Sequence, residues 1–214
     1  MRFKINHQLF TSIKKKRLLF FAITVAFSTI TLAQTSKPIT DYMAVSSPIV
    51  FDSKAYYLNW SSHPTANFYK QEYLLKGEQA GKFKTMILID AITGKQELKD
   101  VVATRVAELN KMKETNPLIN YEIIHNPKTN DYMLDFILTA NAEDGSITII
   151  ERNVYRYKIF TDKAGNKSAM LFGVSSRAYG SDAAKQFLVS LKQNRKDLMN
   201  KVSQFKIPEI KIKQ

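Results

Sequence analysis

The amino-acid sequence predicts an α+β fold, an antiparallel β-sheet of about seven strands packed by two long helices. Three observations predict it. Aromatic and β-branched residues alternate with polar ones in several short windows, as they do in half-buried strands. In two longer windows the apolar spacing changes to three and four, as it does in amphipathic helices. The strand windows fall in clusters joined by short turn strings, so successive strands should pair antiparallel.

The first residues do not belong to that fold. Arg2, Lys4, Lys14, Lys15, Lys16 and Arg17 form a positive zone with no acidic residue. Residues 18–33 are then apolar or small, and Thr31-Leu32-Ala33 places small residues where a signal peptidase reads. A charged start, an apolar stretch and a small-residue exit make a secretory signal. A retained anchor would need about 20 apolar residues, and this run is shorter and diluted by Thr24, Ser28, Thr29 and Thr31. Residues 1–33 therefore read as a signal peptide cut after Ala33, and the expected location is the periplasm or the cell exterior. The chain has no cysteine, which excludes a lipoprotein, disulfides, thiol catalysis and Cys-ligated metals together. No later segment is apolar enough for a membrane span.

Export changes the charge. Six of the 32 basic residues and none of the 19 acidic ones lie in residues 1–33, which leaves 26 against 19 and a net charge of +7 instead of +13. The lysines are scattered and not striped. That suits solubility or weak attraction to anionic surfaces, and it argues against a nucleic-acid partner. Residues 34–214 suffice for one domain that buries roughly 70% of its unfolded surface.

Residues 34–48 are polar, carry Pro38 and Pro48, and read as a loose lead-in. Strands are expected at 55–60, 68–75 and 83–90. The first places Tyr56, Leu58 and Trp60 on one side and is broken by Ser61-Ser62-His63-Pro64; the third has Phe83, Ile87 and Ile89 in phase. Leu98, Val101, Val102, Arg105, Val106, Leu109 and Met112 then form the stripe of a helix. Asn116-Pro117 stops it, because the residue before proline avoids the helical region. Two hairpins follow, 120–124 with 132–139 and 147–160 with 168–179, around turn strings rich in Asn, Asp, Gly and Pro. The last element is a helix with Ser181 as its cap and Ala184, Phe187, Leu188, Leu191, Leu198, Val202 and Phe205 as its buried stripe. Pro208 ends it, residues 209–214 are a tail, and 49–207 is the single domain.

The segments Tyr57-Leu58-Asn59-Trp60-Ser61-Ser62-His63-Pro64 and Tyr69-Lys70-Gln71-Glu72-Tyr73-Leu74-Leu75-Lys76-Gly77-Glu78 resemble segments of uncharacterised exported proteins of the Bacteroidetes type. The order of elements from about 50 to 206 is similar to the PsbP/DcrB-like fold, a sheet sandwiched by helices and closed by a long C-terminal helix. That resemblance implies an accessory or binding role and transfers no functional residue.

No nucleotide, metal or cofactor motif occurs, so no cofactor is expected. His63 and His125 follow the signal, each in a loop-like context with no triad partner in view. Phe172-Gly173-Val174-Ser175-Ser176 lacks the second glycine of a nucleophile elbow. Charged residues inside strands are more informative: Glu72, Asp135, Glu151, Arg152, Arg156 and Arg177. Glu151 and Asn153 interrupt an apolar row, Arg152 and Arg156 point to the other face, and Arg177 and Tyr179 share a face on the next strand. A buried Glu151 would require a cationic partner. These residues read either as cross-strand ion pairs or as a pocket for an anionic or sugar-like ligand. Trp60, Tyr73 and their aromatic neighbours read either as core or as a partner surface. The expected function is thus an exported, non-catalytic binding or accessory protein of the cell envelope, with an envelope protein or a sugar-like or anionic molecule as partner. The candidate ligand-binding residues are Trp60, Glu72, Tyr73, Glu151, Arg152, Arg156, Arg177 and Tyr179. The alternative is a small periplasmic hydrolase acting on envelope polymer or peptide. Amino-terminal sequencing of the exported protein is expected to read Gln34-Thr35-Ser36; an intact Met1 on soluble protein overturns the signal.

Overall fold

The computed structural model describes residues 38–213. Its elements are β1 (Ile49–Phe51), β2 (Lys54–Thr65), β3 (Phe68–Leu75), β4 (Thr85–Ile92), α1 (Leu98–Lys113), β5 (Asn120–Asn126), β6 (Asp131–Asn141), β7 (Ile147–Thr161), β8 (Lys167–Tyr179) and α2 (Ser181–Gln204). The eight strands form one sheet in the order β1-β2-β3-β4-β8-β7-β6-β5, antiparallel at every pairing. The chain lays down β1 to β4 as one meander, crosses through α1 to the far edge, and returns as a second meander whose last strand pairs with β4.

The helices lie on opposite faces, which the apolar pattern had left open. On one face, Leu98, Val102 and Leu109 of α1 pack with Leu134, Phe136, Tyr155, Tyr157 and Leu171. On the other, Val202, Leu198 and Phe205 of α2 and its exit pack with Ile87, Ile89, Val154, Phe172 and Val174. The middle strands β4 and β8 therefore bury side chains on both faces. Gly173 is the close-approach point on the α1 face, where an added Cβ would meet the Tyr155 ring at 2.7 Å.

The structure differs from the sequence expectation in several places. There are eight strands, because a three-residue β1 pairs with the start of β2; a strand that short leaves no readable alternation. The run Ser61-Ser62-His63-Pro64 does not break β2, which continues to Thr65 with register shifts that absorb its irregularity. Phe83 precedes β4 and joins the α1-face core, whereas Ile87 and Ile89 join the other. The lead-in and tail are not loose: Met43, Val45 and Ile212 are buried, and the amides of Lys211 and Lys213 donate to the Met43 and Tyr42 carbonyls at 2.7 and 2.8 Å. Gly180, at φ 84°, takes the cap position of α2, and the Ser181 hydroxyl instead donates to the Ile147 carbonyl.

Two guanidinium groups on β7 fasten α2 to the sheet. Arg152 donates from Nε and Nη2 to both oxygens of Asp135 at 2.9 and 3.2 Å, and its Nη2 also donates to the Arg195 carbonyl at 2.8 Å. Arg195 of α2 donates to the same Asp135 at 2.7 Å and reaches Glu122 at 2.8 Å. Arg156 binds Asp131 and donates to the Ser203 and Phe205 carbonyls at the end of α2. Those carbonyls have no helical partner of their own, so a donor from the sheet satisfies them. The Asp135 and Arg152 side chains are 3% and 5% exposed, so removing one partner strands a buried charge. Asp135→Ala is expected to lower unfolding free energy by about 3–5 kcal/mol, and the paired change Asp135→Leu with Arg152→Met by much less. Urea unfolding of the three proteins measures the difference.

Candidate functional site

One face of the sheet is covered unevenly. α1 rests on β5, β6 and β7; farther along the same face Leu74 of β3 is still buried in the α1-face core, whereas Tyr57 and Trp60 of β2 are exposed. Which side chains reach that open ground depends on one irregularity. Tyr57 stands opposite Leu74 and Trp60 opposite Glu72, with a register shift between Leu58 and Trp60. The extra residue at Asn59 inverts the alternation. Tyr56 and Leu58 therefore enter the α2-face core, while Tyr57 and Trp60 share the α1 face with Leu74 and Glu72. Simple period-two counting had put Tyr56, Leu58 and Trp60 together, and the bulge separates them.

Tyr57 is 45% exposed and Trp60 41%. Beside Tyr57, the end of the β2–β3 hairpin forms a hollow of about 280 Å³ lined by Leu74, Lys76, Gly77 and Glu78. Glu72 is half-buried between this platform and the central strands and makes no hydrogen bond to any described residue. Burial pushes its carboxyl above the usual carboxylate range; Lys70 and Arg177 pull it down, and Asp90 and Glu151 push it further up. Asp90, opposite Lys70 on β4, is pushed up by burial as well. Its Oδ2 is 4.0 Å from Lys70 Nζ, and its Oδ1 is buried with no partner among the described residues. Arg105 of α1 faces the same region, bonded to Glu108 at 2.8 Å, with its Nε unpartnered among the described residues.

The remaining sequence candidates separate by face. Glu151 and Arg177 are directly opposite and form an ion pair on the α1 face. The Arg177 guanidinium lies 4.2 Å over the Phe83 ring. Asn153 donates to Glu151 at 2.9 Å and accepts from Ser175. Tyr179 exchanges two 2.9 Å hydrogen bonds with the Phe83 backbone, so it pins the loop before β4. Arg152 and Arg156 point to the α2 face and are spent on holding α2. Tyr73 is fully buried on that face, and its hydroxyl donates to Gln71, which donates to Asp41; it is a core residue and not a ligand contact. Of the eight candidates, the structure brings Trp60 and Glu72 together on the open platform. Glu151, Arg177 and Tyr179 stand on the same face and are engaged with their own partners.

Tyr57 entered the sequence-level candidates only as one of the aromatic neighbours of Trp60, and Asp90 and Arg105 are absent from them. An acid at the end of an apolar strand and an arginine inside an apolar helical stripe were the available signals for the last two. The histidines are elsewhere, and both lie within strands and not in loops, His63 in β2 and His125 in β5. His63 is stacked on Tyr69 with its Nδ1 3.0 Å from the Phe68 carbonyl, and His125 is stacked on Tyr132 with its Nε2 2.9 Å from Asn130. Among the described residues no cluster of three or more His, Asp or Glu could hold a metal ion, and no helix is long and apolar enough to cross a membrane.

With this geometry established, comparison with known proteins matches the model of a protein family to residues 43–207. The chain belongs to that family, which is uncharacterised. No curated protein and no solved structure matches it. The family region contains every strand and both helices, with the buried lead-in from Met43. It therefore includes the platform, the ion pairs that hold α2, and both cores apart from the tail residue Ile212.

Asp90 allows a pH test of this face. A carboxyl whose folded pKa is raised favours the folded state when protonated, and that contribution is lost as pH rises through the folded value. Asp90→Asn is therefore expected to raise the melting temperature at neutral pH, and the gain should vanish below about pH 4, where the native acid is protonated in both states. Thermal unfolding followed by circular dichroism across that range measures it; a variant that melts lower at neutral pH contradicts the assignment.

Proposed function

We propose that the protein is an exported, non-catalytic binding or accessory module of the cell envelope and that the open platform takes a sugar-like ligand. The exposed pair Tyr57 and Trp60 on a flat, helix-free part of the sheet carries this reading. Large aromatic rings offer an apolar face with a polar edge, which suits the C–H faces of a sugar ring. Glu72 supplies an acceptor for a hydroxyl beside them, and the hollow next to Tyr57 gives the surface a concave end. An anionic ligand is less well served, because Arg152, Arg156 and Arg177 are each bonded to a carboxylate already.

Export and kinship with Bacteroidetes-type exported proteins of PsbP/DcrB-like fold are part of the same proposal. Supporting it are a sheet with a helix on each face and a long helix at its end. The signal-like residues 1–33 lie outside the described residues.

Trp60 is the chain's sole tryptophan, so its emission reports directly on the platform. Titration with soluble glycan fragments of the envelope is expected to quench or shift that emission. Tyr57→Ala and Glu72→Gln should each weaken binding about tenfold, near 1.4 kcal/mol. Emission unmoved by every glycan class ends the sugar reading, and new reducing ends released during the titration would favour the hydrolase alternative.

A further inference from the structure

The second strip left open by the helices lies at the opposite corner of the sheet. α2 rests on β7 and β8, and beyond it a groove of about 860 Å³ runs along β5 and β6, with Glu122 and Ile137 on its floor and Leu188, Val189, Lys192 and Arg195 on its wall. β5 is also an edge of the sheet. The two edges are built differently. β1 is three residues long, follows Pro48, and runs into Asp52 and Ser53, both at positive φ. Such features blunt an edge against further pairing. β5 has seven residues, no proline and no lysine, and two large exposed apolar side chains lie on or beside it, Leu118 before its start and Ile123 on its α1 face.

We infer that β5 is the seam of a homodimer, pairing antiparallel with β5 of a second copy about an axis through Ile123. This does not depend on the glycan reading. The outward row of β5 can be identified. The Tyr121 amide donates to the Asn120 side chain at 3.1 Å, so it is not spent on β6. The Thr139 carbonyl of β6 accepts from Asn116 just beyond the start of β5, which places odd-numbered β6 residues toward β5. Odd residues of β6 stand opposite even residues of β5. Tyr121, Ile123 and His125 therefore turn their backbone groups outward, and the described residues give those groups no ladder partner.

The sequence of β5 complements itself in that register. Ile123 meets Ile123, Tyr121 meets His125, Asn120 meets Asn126, and Glu122 meets Ile124. Glu122 thus never faces its own copy, whereas a register centred one residue earlier would set the two like charges opposite each other, which destabilises a strand pair. Tyr121, Ile123 and His125 exchange both backbone hydrogen bonds with their opposites, the Tyr121 amide exchanging the Asn120 side chain for the His125 carbonyl, since outward residues make the bonded pairs. The helices leave room. With α1 centred over β6, the two α1 axes stand roughly 14 Å apart at a strand spacing of about 4.8 Å, wider than the 8–10 Å of touching helices.

Because the chain lacks cysteine, a single introduced thiol reports the register. Two opposed Ile123 positions in a bonded pair have Cα atoms about 5.5 Å apart, within the span a disulfide bridges. Protein from the full-length chain carrying Ile123→Cys is expected to give a covalent dimer under mild oxidation, and Ile124→Cys is not. Sedimentation equilibrium of the unmodified protein should show a dimer that dissociates on dilution. Ile123→Lys and Ile123→Pro should each shift it to monomer by tenfold or more, with circular dichroism unchanged and with melting equal to that of the unmodified protein at dilutions where the latter is monomeric. Pro is compatible with the β5–β6 ladder because the Ile123 amide faces outward. Val50→Lys, at the 61%-exposed position on the other edge, should leave the dimer intact. A monomer up to millimolar concentration, a dimer untouched by the Ile123 changes, or equal cross-linking from both cysteine positions overturns the inference.

Discussion

The pairing of β4 with β8 is the constraint on which the rest of the structure depends. It joins two meanders that are otherwise separate hairpin stacks, and it forces the crossover through α1 to reach the far edge. Because both strands lie mid-sheet under a helix or loop on either side, neither face can stay polar. β4 accordingly carries Met86 to Ile89 all buried, and β8 is buried from Ser168 to Ser175. The polar exceptions on β8 are satisfied locally: Ser175 donates to Asn153, and Ser168 donates to Asp162. A buried polar group without such a partner would cost more than the packing it replaces.

A sheet of eight strands is too wide for one helix per face. A helix is about 10 Å across and strands lie about 4.8 Å apart, so each helix covers little more than two strands. The lead-in and the tail cover part of the remainder on the α2 face, where Met43, Val45 and Ile212 join the core over β2 and β3. What stays open is the α1 face of β2, with Tyr57 and Trp60, and a strip of the α2 face along β5 beyond α2. The aromatic platform and the groove occupy these two places. Their position follows from the arithmetic of coverage, and their chemistry from the residues that alternate onto them.

The charged residues inside the strands have a unified explanation. Arg152, Arg156 and Arg177 were attractive as ligand contacts because arginine suits the recognition of carboxylate or phosphate groups. Each is instead bonded to a carboxylate, and two of them also satisfy carbonyl groups of α2. The ion pairs orient a long helix whose own apolar stripe is thin, with Ala184 and Val202 as its buried residues. The carboxylates that remain chemically open are Glu72 and Asp90, which lie where the sheet is half-covered.

The sequence alone was enough for the class, the antiparallel pairing, both helices and most strand positions, because period and turn chemistry are local properties of the chain. It also placed Glu151 with Asn153 on one face of their strand and Arg152 with Arg156 on the other, since alternation along a regular strand needs no tertiary information; that Arg177 stands opposite Glu151 came from the register of β7 on β8. Only the tertiary structure decided which face each helix covers, because two amphipathic stripes fit either side of a sheet equally well. It likewise decided that Tyr57 and Trp60 share a surface while Tyr73 is buried: a bulge at Asn59 inverts the alternation, and a bulge is set by the register of the partner strand. The ends of the domain escaped the sequence for the same reason. Met43 and Ile212 are far apart in the chain and become core residues only when the lead-in and tail are brought side by side.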